Sequence, residues 1–386
     1  MIPAGLPYWR LSAFYFFYFA VVGTIVPFWG LYLQSLDFSA LEIGYIGAIL
    51  MATKIVAPNI WGWVADRSGQ RLRVIQWGCL LAALFFLIVL FKHSFWWIAA
   101  GVALYSFFWN AVLAQFEVVT LAHLGDHPQS YSRIRLWGSV GFILVVVGLG
   151  ALFDWLSISY LPVAMLVFLL LIWACSLSIV DQPFEAAHVS AKSLMATVMH
   201  RPVLSFLLCA FLLQVSHGSY YTFFSVFLEE LGYSRTDIGL LWALGVVAEV
   251  LLFLVMHRLM HRFSLRGLLL VSVLLTVVRW WLIGCYPDQV AILLLAQCLH
   301  AFSFGSAHAV AIEFIRRHFH GEIQGQGQAL YSAVSFGAGG AVGAFISGLV
   351  WSSSPVLSFA LSALFAALAW LVVWLGARGP EFDAHL

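Results

Sequence analysis

The stretch "FSALEIGYIGAILMATKIV", Phe38 to Val56, lies without a gap on "YSRTDIGLLWALGVVAEVL", Tyr233 to Leu251. The offset of about 195 residues is what a parallel internal repeat requires. The correspondence runs on past the apolar part, where Arg67 falls opposite Arg262 and Arg71 opposite Arg266. At nearly the same offset, "LWGSVGF" from Leu136 faces "LYSAVSF" from Leu330. The chain reads as two copies of one unit.

Composition says what that unit is made of. Of 386 residues, 63% are hydrophobic and 9% charged, and the mean hydropathy is +0.98, far outside the range of a soluble domain. Runs of ~20 apolar residues, enough to cross a ~30 Å hydrocarbon core as a helix, recur along the whole chain. About twelve such runs begin near Arg10, Leu41, Leu72, Phe95, Arg133, Ser159, Arg201, Asp237, Gly267, Gln289, Gln324 and Pro355. The longest connection, "DQPFEAAHVSAKSLMATVMH" from Asp181 to His200, divides them six and six. The predicted fold is an all-α membrane protein. Twelve transmembrane helices form two pseudo-symmetric six-helix bundles facing a central cavity: residues 1–180, a cytoplasmic linker 181–200, and residues 201–386. The first run is full length and is followed directly by a second, which predicts no cleaved leader.

Lys and Arg in short loops are retained on the cytoplasmic side. Arg10, then Arg67, Arg71 and Arg73, then Arg133 and Arg135, then Lys192 and Arg201, then Arg258, Arg262 and Arg266, then Arg316 and Arg317, then Arg378 mark one set of alternate loops. The opposite loops hold Lys92 and Arg235. A multi-pass protein of a bacterial-type inner (plasma) membrane with both termini cytoplasmic follows. The net charge of +1 says little by itself, but no basic tract resembles a nucleic-acid footprint, so no nucleic-acid partner is expected. Cys79, Cys175, Cys209, Cys285 and Cys298 fall within or at the ends of spans with no CxxC spacing, and read as apolar packing residues, not metal ligands or disulfides. The loops hold no nucleophile elbow, HExxH or DxxD-type metal set and are too short to house a catalytic site, so no enzyme and no cofactor is expected. The expected partners are lipid, a small-molecule solute and protons, for a monomeric protein.

The strongest local signature is "GWVADRSGQRLR", Gly62 to Arg73. It resembles the G-x-x-x-D-R-x-G-x-R loop between helices 2 and 3 of the major facilitator superfamily, with Gly62, Asp66, Arg67, Gly69 and Arg71 filling the pattern. Physically such a loop is a charged latch: an Asp beside Arg at a helix end, with glycines allowing the tight turn.

Each ionisable group within a span costs ~2.5 to 3.5 kcal/mol at the bilayer centre and calls for a reason. These groups are Lys54, Glu117, His217, Glu249, Arg279, His300, His308 and, nearer the cytoplasmic end, Glu313. Lys54 and Glu249 occupy one position of the two repeats, so pseudo-symmetry sets opposite charges at similar depth. Glu313 is expected to cluster with Arg316 and Arg317.

Here the chain resembles the lactose permease group of proton symporters. In that group a helix 4 Glu and a helix 5 Arg bind sugar. A helix 8 Glu, a helix 9 Arg, and a helix 10 His followed three residues later by Glu manage substrate and proton. Glu117 precedes Arg135 in "YSRIRLWGSVGF"; Glu249 in "VVAEVLLF", Arg279 in "TVVRWW" and His300 in "CLHAF" fall at the helix 8, 9 and 10 positions. The resemblance makes Arg279 a buried counter-charge for Glu249 or for a substrate carboxylate. Departures limit it: Ser303 replaces the helix 10 Glu, Phe142 the helix 5 Trp, Leu252 the helix 8 amide and His217 the helix 7 acid. The Lys of helix 11 has no equivalent in "SFGAGGAVGAFISG". A fuller resemblance, through "LLQVSHGSYYTFFSVF", "GLLWALGVVAEV", "IRLWGSVGF" and the pair His300 and His308, is to the phenylpropionate permease branch.

That resemblance implies uptake of an aromatic monocarboxylate with protons by alternating access. Glu249, Arg279, His300 and His217 are the candidate proton-coupling residues, and Glu117, Arg135, Phe142, Gln214, Tyr221, Trp242, Lys54 and His308 the candidate substrate residues. Gln214, His217 and Tyr221 at i, i+3 and i+7 share one helix face. A basic residue such as Arg135 or Arg279 suits a carboxylate, and Phe142, Tyr221, Trp242 and Trp280 suit a ring. His300 and His308, eight apart, are rotated by ~80° around a regular helix and make no metal pair. A sugar or nucleoside symporter, a proton-coupled exporter and a non-transporting solute sensor stay open as alternatives. The exporter lacks its Gly-Pro signature in "GSVGFILVVVGLGALF", and the sensor lacks an output domain.

Overall fold

The computed structural model describes residues 6–125, 127–181, 191–320 and 323–376. The expected linker 181–200 lies partly outside the described residues, as does Arg378 entirely. Among the described residues every regular element is helical, and twelve helices are long and apolar enough to span a bilayer. We label them α1 (Tyr8–Gln34), α2 (Ala40–Ser68), α3 (Arg71–Phe91), α4 (Phe95–Leu124), α5 (Tyr131–Phe153), α6 (Ile158–Leu177), α7 (Arg201–Glu230), α8 (Arg235–Arg262), α9 (Leu265–Cys285), α10 (Val290–His318), α11 (Gln324–Trp351) and α12 (Pro355–Gly376). Each starts within two residues of the position expected from the sequence. A short helix, Ala191–Val198, precedes α7.

The chain forms two compact units, Met1–Ala186 with Ser234–Leu240, and Ala187–Tyr233 with Leu241–Leu386. The repeat is visible in backbone detail. At the start of α2 the Ser39 hydroxyl accepts the Glu42 amide, and the Ser39 amide donates back to the Glu42 carboxylate. At the start of α8, Ser234 and Asp237 exchange the same two bonds. Both are capping boxes, which satisfy helix-end amides that lipid cannot.

Packing within each unit uses small residues where helices cross, as expected when lipid offers no hydrophobic drive. A Cβ on Gly23 of α1 would lie 3.3 Å from the Phe142 carbonyl of α5. Its repeat counterpart Gly218 on α7 abuts Gly343 of α11, where a Cβ would meet the Gly343 backbone at 2.2 Å. The second unit's core gathers Phe206, Leu269, Val310, Phe314 and Val373, all buried.

Three helices of the second unit are irregular. α7 breaks at His217, whose amide donates to Gln214 and not to Leu213 four residues back. The freed Leu213 carbonyl accepts instead from the His217 imidazole Nδ1 at 2.7 Å and the Ser216 hydroxyl at 2.6 Å. α10 widens into a π turn over Ala301–Ser306, and α11 over Ala333–Gly339. Such insertions are frequent at functional sites.

Candidate functional site

In the first unit the latch loop is built as its composition suggests. Gly69 ends α2 in the left-handed region at φ 64°, and its amide returns to the Ala65 carbonyl. Arg71 pairs with Asp66 and also donates to the Gln115 side chain of α4. A Cβ on Gly62 would lie 3.3 Å from the same Gln115 amide, while the Arg67 guanidinium lies over the Trp63 ring. In the second repeat Arg266 donates to the Trp374 carbonyl at 2.9 Å and covers its ring.

Deeper in the first unit, Arg135 of α5 lies half-buried, its guanidinium 4.0 Å from the Phe19 ring centre and 5.7 Å from that of Tyr15. Among the described residues it makes no hydrogen bond and no ion pair. Glu117 on α4 accepts from the Tyr131 hydroxyl at 3.2 Å. Phe142 is buried in the α1–α5 crossing. Lys54 on α2 is half-buried, again with no hydrogen bond or ion pair among the described residues. Its neighbour Thr53 bonds Ser106 and Asn110 of α4.

The second unit holds a continuous polar chain. Arg279 of α9 is wholly buried. Its Nε donates to the Ala296 carbonyl (3.0 Å), Nη1 to His300 Nδ1 (3.1 Å) and the Ser303 hydroxyl (2.9 Å), and Nη2 to Gln297 Oε1 (3.4 Å). The guanidinium carbon lies 4.1 Å from the Tyr220 ring centre and 4.7 Å from that of Trp280, within cation–π range. The Tyr220 hydroxyl donates to the same Gln297 oxygen at 2.8 Å. An arginine nitrogen only donates, so His300 Nδ1 must accept and Nε2 carries the proton. That Nε2 lies 3.6 Å from Glu249 Oε2, at ion-pair distance. Gly305, in the π turn of α10, makes room for the Glu249 stem, since a Cβ there would sit 2.9 Å from Glu249 Cγ.

Sequence reasoning therefore named Glu249, Arg279 and His300, and the structure brings these three together. The order differs from expectation: the imidazole stands between the acid and the guanidinium, and Arg279 is answered by neutral acceptors. Ser303, read as the loss of an acid, is one of those acceptors. Tyr220 and Gln297 were missed. Their spacing was the available signal, with Gln297 three residues before His300 and Tyr220 three after His217.

Aromatic residues surround this chain. Trp242 is buried, donates to Ser225 and packs 4.4 Å from Tyr220, centre to centre. Tyr221 stacks on His217 at 5.5 Å. The π turn brings His300, Phe304 and His308 into one stack, with interplanar angles of 3° and 9°, correcting the ~80° rotation of a regular helix. His308 bonds the Tyr331 hydroxyl of α11 at 3.2 Å. A cleft within this unit is lined by Gln214, His217, Ser303, Phe304, His308 and Phe336, among others.

The model of the MFS_1 like family matches residues 8–361. The chain is 30% identical to a probable 3-phenylpropionic acid transporter of Escherichia coli (strain K12), over 88% of this chain and 90% of the relative. It is 27% identical to the maltose permease of Geobacillus stearothermophilus, over 84% and 83%. The crystal structure of the nucleoside transporter NupG superposes with a TM-score of 0.81 at 17% identity, covering 95% of this chain and 97% of that one, which speaks to the fold alone.

Proposed function

The chain belongs to the MFS_1 like family, in the phenylpropionate permease branch of the major facilitator superfamily, and is a membrane transporter, not an enzyme; from that premise we propose that it imports an aromatic monocarboxylate with protons by alternating access. The observation that carries the coupling is the Glu249–His300–Arg279 chain. A proton arriving at Glu249 removes the negative charge facing the imidazole, and Arg279 holds the opposite ring nitrogen as an acceptor, so the change is passed to a buried cation and not to water. Opening and closing are then biased by whether that carboxyl is neutral.

For the solute, Arg135 supports a carboxylate, because its donors are uncommitted and a planar guanidinium binds that group bidentately. The similarity to a probable 3-phenylpropionic acid transporter supports the same class. In this reading the protein sits in a bacterial inner membrane with both termini cytoplasmic, the Asp66–Arg71 latch acts during the cycle, and the bundles are residues 1–180 and 201–386. The test is Glu249→Gln in proteoliposomes. Proton-driven accumulation of 3-phenylpropanoate should be lost while exchange down its own gradient continues. Accumulation at the wild-type level would remove Glu249 from the role.

A further inference from the structure

His217 is a buried histidine that the coupling chain does not use. Its Nδ1 lies 2.7 Å from the Leu213 carbonyl, which only accepts, so Nδ1 carries the proton. A buried ring with no carboxylate against it is neutral, and Nε2 is then a bare acceptor. That Nε2 is enclosed and has no hydrogen-bond partner among the described residues. The ring has little freedom to turn away, held edge-on by Trp280 at 4.9 Å and face-on by Tyr221 at 5.5 Å.

An orphan acceptor is costly unless something supplies a donor. His217 lines the cleft together with Gln214, one turn earlier on the same face of α7. The Gln214 side chain makes no hydrogen bond among the described residues, although the residue is only 7% exposed. An acceptor and an amide so placed are the complement of one group that both donates and accepts. Other polar groups of the cleft are committed, Ser303 to Arg279 and His308 to Tyr331. Ser335 is engaged with Tyr331, and most of the remaining wall is apolar or aromatic, including Phe206, Phe304 and Phe336.

We propose that His217 and Gln214 form a hydroxyl-recognition site, the solute donating its hydroxyl proton to His217 Nε2 and accepting from the Gln214 amide. This rests on the reading of the protein as an aromatic-acid transporter and narrows it to acids whose ring bears a hydroxyl. A site built to bond a hydroxyl discriminates strongly against the analogue without it, because its own polar groups are then left unpaired.

The experiment is competitive uptake by the full-length protein in proteoliposomes. It uses 3-phenylpropanoate, 3-(4-hydroxyphenyl)propanoate, its 3-hydroxy isomer, and the methyl ether of each phenol. The better phenol should have an apparent affinity at least about tenfold above both the unsubstituted acid and its own ether, which keeps the oxygen but lacks the donor. In His217→Phe the three should fall within about twofold of one another, and Gln214→Met should lose part of the preference. Phenol, ether and unsubstituted acid handled alike by the wild type would overturn the hydroxyl site and leave the aromatic-acid reading standing. Uptake of none of them would overturn both. The wild-type series decides without the variants, so a misfolded His217→Phe does not rescue the proposal.

Discussion

Arg135 and Arg279 are two arginines in the two units of one repeated fold, and their surroundings are opposite. Arg135 is half-buried, lies on aromatic faces and keeps its donors unspent, while Arg279 is fully buried and spends its donors on four acceptors. The repeat has copied the capping boxes and the glycine crossings, yet the polar chemistry has not been copied with them. A guanidinium with free donors suits a ligand; one with most of its donors spent suits positioning its neighbours. The difference teaches that backbone symmetry leaves room for division of labour; in the function proposed above, the solute carboxylate falls to Arg135 of the first unit and the proton to the Glu249–His300–Arg279 chain of the second.

The severest test of that division is Arg279→Leu. It removes the donor that fixes the His300 tautomer and strands the Gln297 and Ser303 acceptors, each a bond to a charged group of about 1.5–3 kcal/mol. Proton-driven uptake should fall by about 100-fold or more. Arg279→Lys should recover little, because one ammonium cannot span acceptors that a planar fork reaches. Near-normal accumulation by the Lys protein, measured in proteoliposomes, would mean that positive charge alone suffices and that the tautomer argument is wrong.

Arg135→Gln should act differently and less severely. Losing one charge-assisted contact to a carboxylate should raise KM about tenfold or more, with the accumulation ratio at saturating solute unchanged. Should accumulation collapse while KM stays put, the roles assigned to the two units would have to be exchanged.

Much of this comparison was legible in the sequence, and the reason is length. A ~20-residue apolar run has one solution in a bilayer, so the twelve helices and their starts could be read directly. The latch loop was equally plain, and the Glu313 cluster has the expected geometry, with Arg316 and Arg317 at 2.7 and 2.8 Å. What stayed hidden is backbone irregularity. No side-chain pattern announces that α10 shifts to i→i+5 bonding after His300, and that shift places Phe304 between two histidines. Nor does periodicity tell which acceptor answers a buried cation. Arg279 implied a carboxylate by charge arithmetic, but a guanidinium has five N–H groups, and three neutral oxygens and an imidazole take four of them.

The mildest effect is expected at Asp154, outside the hydrocarbon-spanning segments and at the far end of the same α5 that carries Arg135. Its carboxylate accepts from the Arg235 amide at 2.8 Å, the Thr236 amide at 3.2 Å and the Thr236 hydroxyl, and so anchors Ser234–Leu240 within the first unit. Slight desolvation pushes this carboxyl upward, but the Thr236 hydroxyl, the two amides and the Arg235 charge outweigh it, leaving it below the ordinary carboxylate range. A depressed folded value means the anchor is present above about pH 4, where an unfolded Asp ionises, and is lost as pH falls through the folded value. Because the group is exposed, solvent screens most of the gain. Asp154→Asn should therefore lower the melting temperature by only about 1–2 °C at pH 7, and the gap to wild type should close as the pH falls below the ordinary carboxylate range. A gap that persists in acid would show that the amide fails by pointing a donor at the Thr236 donors. The anchor would then depend on hydrogen-bond polarity and not on charge.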